Sequence, residues 1–285
     1  MVKVLRWAGY VLAAILILLL LAAGWIWFAS NRALAARVEP AQERLVRPSP
    51  AQLADGPRQL RVLGCLTCHG DKLEGDAFLK DDKIALLNAS NLTRVAARAS
   101  DQQLAQAIRQ GIGHDGRSLL VMPSEHYQFL TDQEVTALIA AIRKMPQTGT
   151  DQPPVSLGPI GRVALLTGKL PVAPVRAADY RSSRIADLGP AYAIGRHIVE
   201  TNCTGCHGPN LKGAEIKPGT VSTDLEIVGA YDLAQFKAMM RTGVAPGGKK
   251  LGMMGEAARD DFSHLRDDEL TAIHAYLVER AKRAP

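Results

Sequence analysis

The 285 residues carry a formal charge of +6, and 47% of them are apolar although only 5% are aromatic. That length suits about two domains with small cores, and the composition fits a helical protein with an added membrane segment. Residues 51–147 hold 11 basic and 11 acidic side chains and residues 184–285 hold 13 of each, so neither half offers the basic face that would make a nucleic acid a partner.

No charged residue lies between Trp7 and Ser30. As a helix this stretch rises about 36 Å, enough to cross a hydrocarbon core of about 30 Å. Trp7 and Tyr10 stand near one end and Trp25 and Trp27 near the other, where interfacial aromatics belong. Residues 1–30 are therefore expected to form a single transmembrane anchor. The competing reading is a cleaved signal peptide, with Lys3 and Arg6 as its basic start and Ala33-Leu34-Ala35 as a small-x-small site; the apolar part is longer than such peptides use. Residues 31–50, with three prolines and no helical period past Val38, read as a stalk that lifts the next domain above the membrane.

A helix over about Gln52 to Leu63 leads into Cys65-Leu66-Thr67-Cys68-His69. Two thiols three apart share one side of a helical turn, and the next residue is held beside them. Covalent haem needs this arrangement: each sulfur forms a thioether to one vinyl group and the imidazole reaches the iron from one face. The pattern recurs at Cys203-Thr204-Gly205-Cys206-His207, and both copies continue with Gly and then a Leu and a Gly at equal offsets, Leu73 and Gly75 against Leu211 and Gly213. A zinc site or a thioredoxin-like pair is the alternative for Cys-x-x-Cys alone. The following histidine, present twice, argues against both, and all four cysteines of the chain are consumed.

Beyond Gly75 the chain reads as loop, with a polar turn over Asn88–Thr93. Ser100 is an N-cap for a short helix over Asp101–Gln110 that ends at Gly111. The segment from Gly111 to Pro123 follows, and in it Met122, directed by Pro123, is the candidate for the free iron position, since a thioether there raises the reduction potential. Met145 at the end of the next helix is a poor site, and His114 and His126 are rival ligands that otherwise read as solvated loop residues. Thr131 and Glu134 form a capping box for a helix whose stripe of Val135, Leu138, Ile139 and Ile142 stops before Pro146.

Residues 146–183 contain six prolines and few charges, so 148–183 are expected to be a Pro/Gly-rich linker. Its apolar piece Arg162–Leu166 is expected to pack against one lobe, with nothing in the sequence to choose which. The second lobe, 184–285, repeats the plan of 51–147. A helix from about Ala191 precedes the second motif, another runs from Tyr231 to Arg241 and ends at Gly243, and a last one starts at Asp267. Adjacent Met253 and Met254 cannot both face an iron; spacing favours Met254 and leaves Met253 as the alternative. Met239 and Met240 read as core, and His197, His264 and His274 as surface or satisfied histidines. Gly195, eight residues before Cys203, and Tyr276 suit a close crossing of the terminal helices. Pro57 and Ala141 occupy the corresponding places in the first lobe, whose crossing is therefore expected to differ.

With haem motif, glycine loop, methionine and closing helix in that order twice, residues 51–285 resemble two class I c-type cytochrome domains in tandem. The whole resembles the membrane-anchored di-haem cytochromes c. The resemblance implies an all-α fold and two covalent haem c groups attached at Cys65, Cys68, Cys203 and Cys206. It implies His69 and Met122 on one iron and His207 with a methionine, Met254 or Met253, on the other. It further implies an electron carrier of the bacterial inner membrane, its haem domains periplasmic because covalent haem is assembled there. Its partners would be dehydrogenase or oxidase subunits, a quinol-oxidising complex, or a soluble cytochrome or cupredoxin. The rivals are a peroxidase-like di-haem enzyme with one open iron and an internal wiring subunit of a larger complex.

Overall fold

The computed structural model describes residues 2–217 and 219–283. It is mostly helical, at 59%. Among the described residues, α1 (Val2–Ala35) is the helix long and apolar enough to cross a membrane, and it lies almost wholly uncovered. α2 (Pro50–Val62) starts in a capping box between Ser49 and Gln52, and the first Cys-x-x-Cys-His is the short helix α3 (Cys65–His69). β1 (Ala77–Asp81) and β2 (Ala85–Asn88) form an antiparallel hairpin, then come α4 (Leu92–Arg98), α5 (Asp101–Gln110), α6 (Ser124–Tyr127) and α7 (Asp132–Lys144). The expected N-caps Ser100 and Thr131 are in place, with Gln103 and Glu134 closing their boxes. Leu60, Leu104, Val135, Leu138, Ile139 and Ile142 form the centre of this lobe.

The connecting segment contributes β3 (Ser156–Leu157), α8 (Pro159–Leu166) and α9 (Ala173–Arg181). The second lobe comprises α10 (Ala193–Asn202), α11 (Thr204–His207), a small hairpin of β4 (Glu215–Lys217) and β5 (Thr220–Val221), α12 (Leu233–Thr242), α13 (Gly252–Asp260) and α14 (Asp267–Arg283). Its core is built on Val199, Phe236, Leu270, Ile273, Tyr276 and Leu277, and Met239 and Met240 are buried in it.

Four expectations need correction. The chain is not all-α: the stretch after Gly75 is a hairpin, turned by the Asp81 carboxylate accepting from the Lys83 and Ile84 amides (2.9 and 3.0 Å). Strands of five and four residues are too short to show a clear alternation. Residues 31–50 are no free stalk. They run back along the first lobe, where Val38 N–H donates to Gly116 O (2.9 Å), Gln106 Nε2 donates to Ala41 O (3.1 Å) and Arg109 pairs with Glu43 (2.8 Å). Nor is 148–183 a loose linker. β3 extends the first lobe's sheet by pairing with β2, α8 lies on α1, and α9 packs on α6 and α5; its prolines start helices α8 and α9 rather than forbidding them. The first lobe also has its crossing glycine. A Cβ on Gly56 would stand 3.0 Å from Ala137 O and 3.1 Å from Ala141 Cβ. Gly64, at φ +68°, is interposed between α2 and the motif, so this glycine falls nine residues before Cys65 instead of eight. The second crossing is tighter, with Gly195 against Ala272 O and Tyr276 Cβ.

Candidate functional site

Each Cys-x-x-Cys-His turn is followed by the same backbone device. After His69, Gly75 N–H donates to His69 O (2.7 Å), and after His207, Gly213 N–H donates to His207 O (2.9 Å). The intervening leucines, Leu73 and Leu211, adopt φ of +58° and +62°, a left-handed conformation that L side chains seldom take. Both are fully buried, so packing holds them there. Their carbonyls receive Leu92 N–H (2.8 Å) and Leu225 N–H (3.0 Å), which draws the chain back past the histidine. There Ser90 O lies 2.7 Å from His69 Nδ1, and Thr223 O lies 2.7 Å from His207 Nδ1. A carbonyl only accepts, so Nδ1 carries the proton and Nε2 keeps the lone pair that a metal requires. Burial lowers the pKa of both imidazoles against the opposing pull of these carbonyls, so both are neutral at pH 7.

The candidate methionines are placed differently in the two lobes. Met122 and Cys65 line one apolar pocket with Leu60, Leu63, Tyr127 and Leu138. The backbone around Met122 is clamped by Arg176 of α9, whose guanidinium donates to Leu120 O (2.8 Å) and Met122 O (2.9 Å) and pairs with Glu125 (3.1 Å). In the second lobe both methionines lie in the first turn of α13. The two glycine loops share a register: Leu119 N–H donates to Gly111 O and Leu251 N–H to Gly243 O, and Ile112 bridges Ser118 as Val244 bridges Lys250. Three residues beyond the paired leucines stand Met122 and Met254. Met254 packs against the second core, whereas Met253 is 43% exposed.

Burial raises all four thiols, Cys65 and Cys203 up to about 12, so none stands ready as the thiolate that disulfide exchange uses. Among the described residues there is no cluster of three or more His, Cys, Asp or Glu side chains suited to a metal ion.

Of the rival histidines, His126 is buried and its Nδ1 has no partner; burial drives it down to about 3. Its ring faces the second lobe, where a Cβ on Gly205 would come within 2.5 Å of it. His114 is a half-buried loop residue whose carbonyl accepts from Gln103 (2.9 Å). His197 pairs with Glu134 of the first lobe (2.9 Å), His264 offers its carbonyl to Arg58 (3.0 Å), and His274 Nε2 meets Tyr231 O (2.8 Å).

The two motifs also meet the opposite lobe. Thr67 Oγ1 donates to Asp261 (2.5 Å), and Gly205 lies under His126. Around them Asp55, Arg58, Arg266 and Glu269 form one ion network across the interface. Sequence reasoning missed Ser90, Thr223, Arg176 and His126 in these roles. The first two act through backbone oxygen, which has no residue signature, and the others depend on which lobe lies opposite.

A neutral histidine with free Nε2, a methionine thioether and, in the first lobe, an apolar pocket lined by Cys65 and Met122 are donors of the kind that fit haem c. Comparison with known proteins accords with this. The chain is 24% identical over 272 residues to the fructose dehydrogenase cytochrome subunit of Gluconobacter japonicus, an alignment covering 84% of this chain and 54% of that one. The chain thus spans about half the length of that curated relative. Residues 192–281 match the family model described as Cytochrome c. That match covers the second lobe, and together with the likeness to a cytochrome subunit it supports an electron-carrier role.

Proposed function

We propose that the chain is a di-haem cytochrome c, held by α1 at the bacterial inner membrane with both lobes in the periplasm. It passes electrons from a dehydrogenase or quinol-oxidising complex to a terminal oxidase or soluble carrier. The observation that carries the reading is the duplicated scaffold after each motif: the buried left-handed leucine, the glycine returning to the histidine carbonyl, and the carbonyl that fixes Nδ1. The family match over residues 192–281 supports a haem-holding role for that scaffold, and the first lobe has the same one.

Cys65 and Cys68 attach the first haem, Cys203 and Cys206 the second. His69 and Met122 hold one iron, His207 and Met254 the other. Each haem supplies one-electron exchange at its iron. The side chains position it: the Nδ1 hydrogen bonds orient both imidazoles and raise their basicity, Arg176 keeps the Met122 loop closed, and the apolar pocket excludes water. The likeness to a dehydrogenase's cytochrome subunit favours a dehydrogenase as donor.

Mass measurement and carbon monoxide binding test this. Two covalent haems per chain with slow, partial carbon monoxide binding are expected. A single haem confined to Cys203 and Cys206 would refute the first-lobe assignment, and rapid stoichiometric binding would reveal an open iron and restore the peroxidase-like enzyme.

A further inference from the structure

α8 has the sequence Pro-Ile-Gly-Arg-Val-Ala-Leu-Leu and is apolar all round apart from Arg162. A helix of that kind is covered on every side, yet α8 is not. Leu165 packs into a small third core with Leu34, Leu120 and Leu157. Arg162 is turned onto α1, donating to Ser30 Oγ (2.6 Å) and Asn31 Oδ1 (2.9 Å) with its guanidinium 6.0 Å from the Trp27 ring. The remaining face leaves Ile160 57% and Val163 44% exposed. The turn between β1 and β2 continues it: Ile160 N–H donates to Lys83 O (2.9 Å), Gly158 N–H donates to Ile84 O (2.9 Å), and Ile84 is 41% exposed.

Place on α1 identifies the occupant. The uncharged run ends at Trp27, Ser30 and Asn31, so α8 crosses α1 where a spanning helix leaves the hydrocarbon and enters the headgroup layer. We propose that Ile84, Ile160 and Val163 insert into the acyl–headgroup boundary of the same bilayer, so that the first lobe sits on the membrane instead of standing off from it. The inference rests on α1 being a retained span. In the adjoining turn the exposed Lys80 and Lys83 are balanced by the exposed Asp81 and Asp82, so the patch is apolar with little net charge and its partner is the lipid surface itself, with no requirement for anionic headgroups.

The test uses the full chain in phosphatidylcholine vesicles, with a photo-reactive diazirine side chain at position 163, 18 or 227 in separate variants. Ile227, in the second lobe, is comparably exposed and reports on solvent. After illumination, lipid adducts are expected at 18 and 163, with a yield at 163 at least about tenfold above that at 227, and unchanged in ~1 M salt, where charge attraction is screened. Adducts at 18 but not at 163 would overturn the proposal and leave the anchor standing. So would cross-linking of 163 to a second copy or another protein in place of lipid. No adduct at 18 would show that α1 does not span, and would overturn both.

Discussion

The two lobes share the device that holds the motif histidine and differ in the device that holds the methionine. In both, a buried leucine at positive φ and a returning carbonyl fix the imidazole. Met122 lies in a loop that ends at Pro123 and is stapled by Arg176 from outside the lobe, whereas Met254 occupies the first turn of a nine-residue helix and packs on its own core. One side of the site is therefore set locally by the chain that follows the motif. The other is set in the first lobe by a segment laid against it and in the second by the lobe's own helix and core. The first lobe has the inserted Gly64, the longer hairpin, and α8 and α9 laid against it, and the family model matches the second lobe alone.

The sharpest way to break the comparison is to remove the cysteines of one lobe at a time. C65A with C68A should halve the haem content and leave the second lobe's spectrum unchanged, and C203A with C206A should do the converse. Electrospray mass of the purified chain counts the groups. Equal content after removal of the first pair would mean that the first scaffold holds nothing.

Much of this was legible in the sequence because it depends on short-range chemistry. The capping boxes at Ser100 and Thr131, the glycine stops at Gly111 and Gly243, and the buried Met239 and Met240 all follow from side chains acting on their own helix. What was not legible depends on long-range placement. Nothing in Arg176 says that it will clamp a loop 54 residues earlier, and nothing in Ser90 says that its carbonyl meets an imidazole. The crossing glycine was misjudged for a local reason: one interposed residue, Gly64, moved the register to Gly56.

A smaller effect separates the adjacent methionines. M254L should lower one of the two potentials, because a thioether ligand raises it, while M253L should shift neither, its side chain being 43% exposed and outside the second core. M122L should lower the other potential alone. Redox titration followed in the visible haem bands reads all three. If M253L gives the fall and M254L does not, the shared register of the glycine loops is misleading about the ligand.

Contact between the lobes can be tested through Gly205. G205A places a methyl within 2.5 Å of the His126 ring, an overpacking that costs about 1–3 kcal/mol. H126A would make room for it, so the double variant should recover part of that loss, and denaturant midpoints of the four proteins give the coupling. Additive losses would mean that the ring and the motif helix do not press on each other.

The smallest effect is the pH response of the His197–Glu134 pair. Burial alone would lower His197, but the hydrogen bond and charge of Glu134, with Glu200 adding to them, carry it above the ordinary value of 6.5. Burial would raise Glu134, and His197 with Thr131 holds it below 4.5. A raised histidine contributes stability that is complete below its unfolded pKa and is lost as pH rises through the folded value. A lowered carboxylate contributes above its unfolded pKa and loses that contribution as pH falls through the folded value. The clamp is therefore strongest between about pH 4.5 and 6.5 and weakens toward alkaline pH. For a half-buried pair the gain is a few tenths to about 1 kcal/mol. Urea midpoints at pH 6 and pH 9 should fall further for the unaltered protein than for H197Q. Identical falls would show that the pair contributes nothing to holding the lobes together, leaving the Asp55–Arg58–Glu269–Arg266 network, whose partners keep Asp55 down at about 2, to carry the interface across this range.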